Sequence, residues 1–103
     1  MSDIFYTHAF WKVRPENQEA FLRAWQELAD LFTSLPNPSR HGTLIQSVSD
    51  STVFYSFGPW DSMEDIESMR SNPQAQQAIR KIVELCDEAT PGTYKVVFDI
   101  YVE

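Results

Sequence analysis

An α+β fold with its elements in the order β-α-β-β-α-β is predicted by three features of the sequence. Aromatic and β-branched runs stand near both ends of the chain, two helix-period stretches each open on a proline, and a short polar turn separates two strand-like runs in the middle. The 103 residues amount to one domain spanning 1–103, and a chain of that size removes roughly two thirds of its unfolded surface from water on folding. With 43% hydrophobic and 14% aromatic residues and only three glycines, the chain has the material for a packed core.

The first strand is expected over Ile4–Val13 (IFYTHAFWKV), which contains no breaker and ends at Arg14-Pro15. Pro15 suits the first helical position, where its missing N–H leaves no bond unmade, and Glu16 and Glu19 sit well against the positive end of the helix dipole. Phe21, Ala24, Trp25, Leu28, Phe32 and Leu35 then follow at spacings of one, three and four, one apolar stripe on a helix that stops at Pro36-Asn37-Pro38. A polar loop from Asn37 to Gly42 leads into two short strands, Thr43–Val48 and Thr52–Phe57, around the turn Ser49-Asp50-Ser51. Gly58-Pro59 is read as the end of the third strand. Ser62, followed three residues later by Asp65, resembles a capping box and opens a short helix that ends near Ser71. Asn72-Pro73 opens the next helix, whose apolar residues run from Ala75 to Ala89, and Pro91-Gly92 is expected to close it. The last strand is expected over Thr93–Val102 (TYKVVFDIYV).

This order is the split βαβ, or ferredoxin-like, arrangement. Right-handed crossovers give it a four-stranded antiparallel sheet with strand order 4-1-3-2 and both helical regions on one face. A sheet with one solvated face alternates apolar with polar residues. Here the first and third strands carry large apolar side chains at both parities: Phe5, Ala9, Trp11 and Val13 against Ile4, Tyr6 and Phe10, and Phe54 against Val53, Tyr55 and Phe57. A second protein surface should therefore cover the helix-free face, and a homodimer supplies it by symmetry.

The formal net charge of −7 makes nucleic acid and anionic membrane surfaces unfavourable partners. No stretch approaches the ~20 apolar residues of a membrane helix, and the first residues lack a basic stretch followed by an apolar one, so the expected location is cytoplasmic. The lone Cys86 agrees with a reducing compartment. No metal-ligand spacing, phosphate-cradling glycine loop or nucleophile elbow is present, and neither a metal nor another cofactor is expected.

The aromatic strand ending in Lys12-Val13-Arg14-Pro15, the Phe21-Leu22-x-x-Trp25 helix and the segment Phe54-x-Ser56-Phe57-Gly58-Pro59-Trp60-Asp61-Ser62, with Met69-Arg70-Ser71-Asn72-Pro73 behind it, resemble the antibiotic biosynthesis monooxygenase domain family. That resemblance covers nearly the whole chain and implies a dimeric α+β barrel. It also implies cofactor-independent oxygenation of phenol- or quinol-type compounds, the electrons coming from the substrate itself. Trp60 matches the tryptophan at the end of the family's third strand. Haem-opening relatives place a second tryptophan and a histidine where this chain has Met69 and Ile79, and quinol-oxidising relatives place a histidine near Met69. Phenol-oxidising relatives have an asparagine where this chain has Ser56. Of the expected catalytic set only Trp60 is present, so the resemblance carries the fold and does not carry haem opening.

His8 and Trp60 are the candidate catalytic residues, and Tyr6, Tyr55, Ser56 and Met69 the candidate substrate-binding ones. The His8 imidazole could exchange a proton with a phenol, or could serve only in packing. Trp60 could stack on an aromatic ligand, or simply pack at the strand-to-helix corner. Tyr6, Tyr55, Tyr94 and Tyr101 could present hydroxyls to a ligand or line a dimer seam, and Met69 could form an adaptable pocket wall or a piece of core. The expected site is a pocket between sheet and helices lined by Trp60, with His8 and Tyr55 contributing. Two functions follow: an oxygenase-like protein acting on a small aromatic molecule, or a non-catalytic ligand-binding or regulatory dimer on the same fold. An isomerase or dehydratase using His8 as base is a third.

Overall fold

The computed structural model describes residues 4–35 and 41–102. Strand β1 spans Phe5–Val13; a turn of 3-10 helix at Pro15–Asn17 leads into helix α1, Gln18–Thr33. Strands β2 (Thr43–Gln46) and β3 (Val53–Trp60) follow, then helices α2 (Met63–Ser71) and α3 (Pro73–Val83), and strand β4, Cys86–Lys95. The sheet has the order β2-β3-β1-β4 and every pairing is antiparallel, as the element order predicts. The expected stop at Pro36-Asn37-Pro38 and most of the Asn37–Gly42 loop lie outside the described residues.

Alternation along each strand decides what faces the helices. On β1 these are Ala9, Trp11 and Val13, and on β3 Phe54, Ser56, Gly58 and Trp60, all buried. Phe21, Ala24 and Leu28 of α1 meet them, the Phe21 ring tilted against Phe54 at 4.8 Å and edge-on to Trp11 at 6.1 Å. A second cluster, Trp60, Ile66, Met69 and Ala75, fills the end of the sheet under α2, and Phe32 and Ile79 pack against both clusters. Caps fix the helix starts as the sequence predicts. Ser62 Oγ accepts the Asp65 N–H at 3.1 Å, and Asn72 Oδ1 accepts the N–H groups of Gln74 and Ala75 at 2.9 and 3.1 Å.

Three expected boundaries are corrected. Gly58-Pro59 does not end β3. Among the described residues β2 pairs with Phe54–Phe57, so at Pro59 the third strand has β1 as its strand partner and the proline's missing N–H takes nothing from the β2 ladder. Gly58 is needed there because the backbone of His41 lies against it; a Cβ would stand 2.3 Å from the His41 carbonyl oxygen. The second correction is that α3 ends at Val83 rather than near Ala89. Carbonyls at its C-terminus are taken by the β1–α1 connection: Arg14 Nη1 donates to Glu84 O at 3.2 Å, and Asn17 Nδ2 and Arg14 N donate to Leu85 O at 3.3 Å. Third, Pro91 and Gly92 lie inside β4, which tolerates proline because it is an edge strand. Val96–Val102, expected as the rest of the last strand, is outside the sheet. Val96 N still donates to Ile4 O at 3.0 Å.

Candidate functional site

The sheet divides the predicted site residues into two sets. Tyr6 and His8 of β1 and Tyr55 of β3 are on the helix-free face; Ser56, Trp60 and Met69 are in the core on the other side. A single pocket under the helices lined by Trp60, His8 and Tyr55 is therefore not formed, because one layer of backbone separates them. The sequence could not distinguish the two parities, since both are apolar.

On the core side, the polar atoms of Trp60 and Ser56 are already engaged. Trp60 is 3% exposed; its Nε1–H donates to Thr7 Oγ1 at 3.0 Å and its ring meets Phe32 edge-on at 6.1 Å. The Ser56 hydroxyl accepts the Trp11 Nε1–H at 3.0 Å in a buried hydrogen bond. Met69 is buried beside Trp60 in the second cluster. Cys86 is buried at the start of β4; burial pushes its thiol up, away from the nucleophilic thiolate, and its Sγ donates to Ile82 O at 3.4 Å.

The helix-free face carries the more open arrangement. Register places His8 between Phe57 on β3 and Gly92 on β4, and Tyr6 between Pro59 and Tyr94. The His8 ring lies 5.6 Å from Tyr55, tilted by 40°, and 5.6 Å from Tyr94, nearly perpendicular to it; Tyr55 continues the cluster to Phe10 at 5.4 Å. Gly92 makes room for this. A Cβ there would stand 2.9 Å from the Tyr94 hydroxyl, so only a bare backbone lets the tyrosine ring fold back towards His8. Tyr6, His8, Phe57 and Tyr94 line a solvent-open concavity of about 470 Å³, and Tyr94 remains 57% exposed. The walls are almost wholly aromatic, with two phenols and one imidazole as polar groups, a surface suited to stacking on a flat ring and sharing a proton with it. Sequence reasoning left Phe57 out of this site. Its shared parity with Tyr55 was the available signal.

Among the described residues no group of three or more His, Cys, Asp or Glu side chains could hold a metal ion, and no helix is long and apolar enough to cross a membrane.

The model of the antibiotic biosynthesis monooxygenase family matches residues 4–81. No curated protein matches the chain significantly. Among solved structures, SnoaB from Streptomyces nogalater, a cofactor-independent oxygenase, superposes with a TM-score of 0.83 at 12% identity, covering 97% of this chain and 98% of that one. A conserved protein from Methanosarcina mazei Go1 gives 0.81 at 13% identity over 89% and 91%. An antibiotic biosynthesis monooxygenase gives 0.78 at 15% identity over 90% and 98%. At such identities the likeness shows the fold alone. Together with the family match over most of the length, it places this chain in the antibiotic biosynthesis monooxygenase family, with the α+β ferredoxin-like fold of that family.

Proposed function

We propose that the protein is a cofactor-independent, monooxygenase-like dimer that takes a small phenol- or quinol-type compound on the helix-free face of its sheet. The observation that carries this reading is the aromatic concavity of Tyr6, His8, Phe57 and Tyr94, in which the imidazole of β1 meets the Tyr94 ring edge-on at 5.6 Å. Family membership supports the oxygenase part. In this reading His8 accepts the proton of a bound phenol, and the resulting phenolate is the electron donor to dioxygen. For an anthrone-type substrate the balance is closed without another reductant: the reacting CH₂ becomes C=O, one oxygen atom enters the product and the other leaves as water. The tyrosine walls hold the ring and exclude solvent once a second copy covers the face.

Oxygen uptake by the purified protein with a panel of hydroxyquinols and anthrones tests this. Turnover above buffer, lowered at least about tenfold in His8→Gln, is expected for a proton-transfer group. Uptake no faster than buffer across the panel would refute the oxygenase reading.

A second reading has a specific observation behind it. Ser56, Trp60 and Met69, the positions at which the family resemblance would put reactive or substrate-contacting groups, are buried and packed, and the polar atoms of Ser56 and Trp60 are already hydrogen-bonded. A dimer that binds an aromatic ligand without transforming it would look the same. Saturable binding without oxygen uptake would select that function.

A further inference from the structure

Tyr94 is held differently from the other rings of the helix-free face. Tyr55 is gripped from two sides, by His8 and by Phe10. Among the described residues Tyr94 meets one ring, His8, edge-on at 5.6 Å, and its hydroxyl makes no hydrogen bond. It is also more than half exposed and stands on an edge strand, with no further strand on its outer side among the described residues. A ring so lightly held has room to turn outward, yet it is folded back along its own strand. Its hydroxyl, Cε2 and Cζ stand 2.9, 3.0 and 3.1 Å from the place a Cβ at residue 92 would take. The end of the phenol therefore fills the volume that any other residue at 92 would give to its side chain. Glycine inside a strand weakens it, and where one is kept something approaches the bare backbone closely. Here the visitor is a phenol ring, directly across from His8 in the β1–β4 register.

We propose that Tyr94 is a built-in stand-in for the ligand: Gly92 is the floor of a subsite for a phenol ring, and the chain's own phenol occupies it until a free one takes its place. The ring that now lies there has the chemistry of the ligand class and already meets the imidazole that would take its proton. Displacement is easy because a strand residue has a second staggered χ1 well at hand, and exposed side chains change wells within nanoseconds. From an edge strand that turn carries the ring off the border of the sheet, not across it. It would leave Gly92 bare beside His8. The tethered phenol thus sets the threshold for binding, since the apparent dissociation constant is the intrinsic one divided by the fraction of molecules whose floor is uncovered. It also selects shape. A substituent standing out of the ring plane would meet the Gly92 backbone as a Cβ there would meet Tyr94. The inference rests on the reading that this face takes the ligand, and not on any oxygenation step.

Nuclear magnetic resonance on the intact chain with 2-naphthol, under nitrogen, tests this. In the free protein the Tyr94 ring protons should show Overhauser contacts to the Gly92 α-protons; at saturation those contacts should vanish and naphthol contacts to Gly92 and His8 replace them. Tyr94→Ala removes the competitor, so it should bind naphthol at least about fivefold more tightly than the parent. Gly92→Ala fills the floor and should bind at least about tenfold more weakly, with Gly92→Ala/Tyr94→Ala no better. Equal or weaker binding by Tyr94→Ala would make Tyr94 an ordinary wall and overturn the inference, as would Tyr94–Gly92 contacts that persist at saturation. Absence of binding by parent and Tyr94→Ala alike would overturn it too. Naphthol contacts to Trp60 and Met69 would overturn the inference together with the choice of face. Exchange of Tyr94 for naphthol on Gly92, with no oxygen uptake on the quinol panel in air, would uphold the inference and remove only the oxygenase reading.

Discussion

Ser56 and Asp50 show how differently two hydrogen-bonded polar residues contribute. The Ser56 hydroxyl is the acceptor for a buried indole N–H, and Ser56→Ala leaves Trp11 Nε1 with a desolvated, unmatched donor. That substitution should cost about 1–3 kcal/mol in chemical denaturation, and would be the same with or without ligand. Asp50 is at the surface, in the turn between β2 and β3. Its carboxylate accepts from the Thr52 hydroxyl at 2.6 Å, the Thr52 N–H at 3.0 Å and Lys12 Nζ at 3.0 Å. The Thr52 bonds chiefly, with Lys12 adding to them, bring its pKa down from 3.8 to about 2. Because the folded value is the lower one, this contribution is complete above the unfolded pKa and is lost as pH falls from about 4 towards 2. Acid titration of unfolding should therefore show a shallower loss of stability over that interval in Asp50→Asn than in the parent, and an identical slope in the two would contradict the assignment. Some of this was visible in the sequence, since Ser49-Asp50-Ser51 is turn chemistry. The role of Ser56 was not, because its partner is 45 positions away.

At the level of elements, strands and helices that carry their own local signals were legible. The Pro73 start, the Ser62 and Asn72 caps and the α1 stripe from Phe21 to Phe32 reappear where the residues predict them, whereas Pro15 opens a 3-10 turn ahead of α1. Asn72→Ala removes two accepted N–H bonds at the start of α3 and should destabilise by about 1 kcal/mol, measurable by thermal or urea unfolding. What was not legible is the helix-to-strand switch at Val83–Cys86. Leu85, Cys86 and Ala89 fit a helical period, but the switch is decided by Arg14 and Asn17 capturing the carbonyls of Glu84 and Leu85, and by Val13 pairing with Cys86 across a register shift. These contacts are about 70 residues apart in sequence, so no local pattern reports them. Pro91-Gly92 then read as a helix stop because the sequence does not say that this strand is at an edge. The same displacement of β4 by several residues is what frees Val96–Val102 from the sheet. The predicted site was split for a different reason: the face on which His8 stands depends on which parity of β1 the helices cover, and both parities are apolar.

For the whole molecule, one layer of helices covers one face of the sheet and leaves Tyr6, His8, Phe10, Tyr55, Phe57 and Tyr94 on the other. Burying such a face against a second copy returns roughly 25 cal/mol for each Å² of apolar surface removed from water. Phe10→Glu puts a charge at its centre while leaving the core side untouched. Light scattering should find the variant monomeric at concentrations where the parent is dimeric, its dissociation constant raised at least about 100-fold by the charge that would have to be buried. A parent that is monomeric and well folded in dilute and concentrated samples alike would leave this face without its proposed cover. The central claim is that ligand chemistry belongs to the uncovered aromatic face and not to the packed space under the helices. The most direct measurement is the crystal structure of the protein soaked with a hydroxyquinol. Density for the ring stacked among Tyr6, His8, Phe57 and Tyr94 is the predicted result, and density wedged beside Trp60 and Met69 would contradict it.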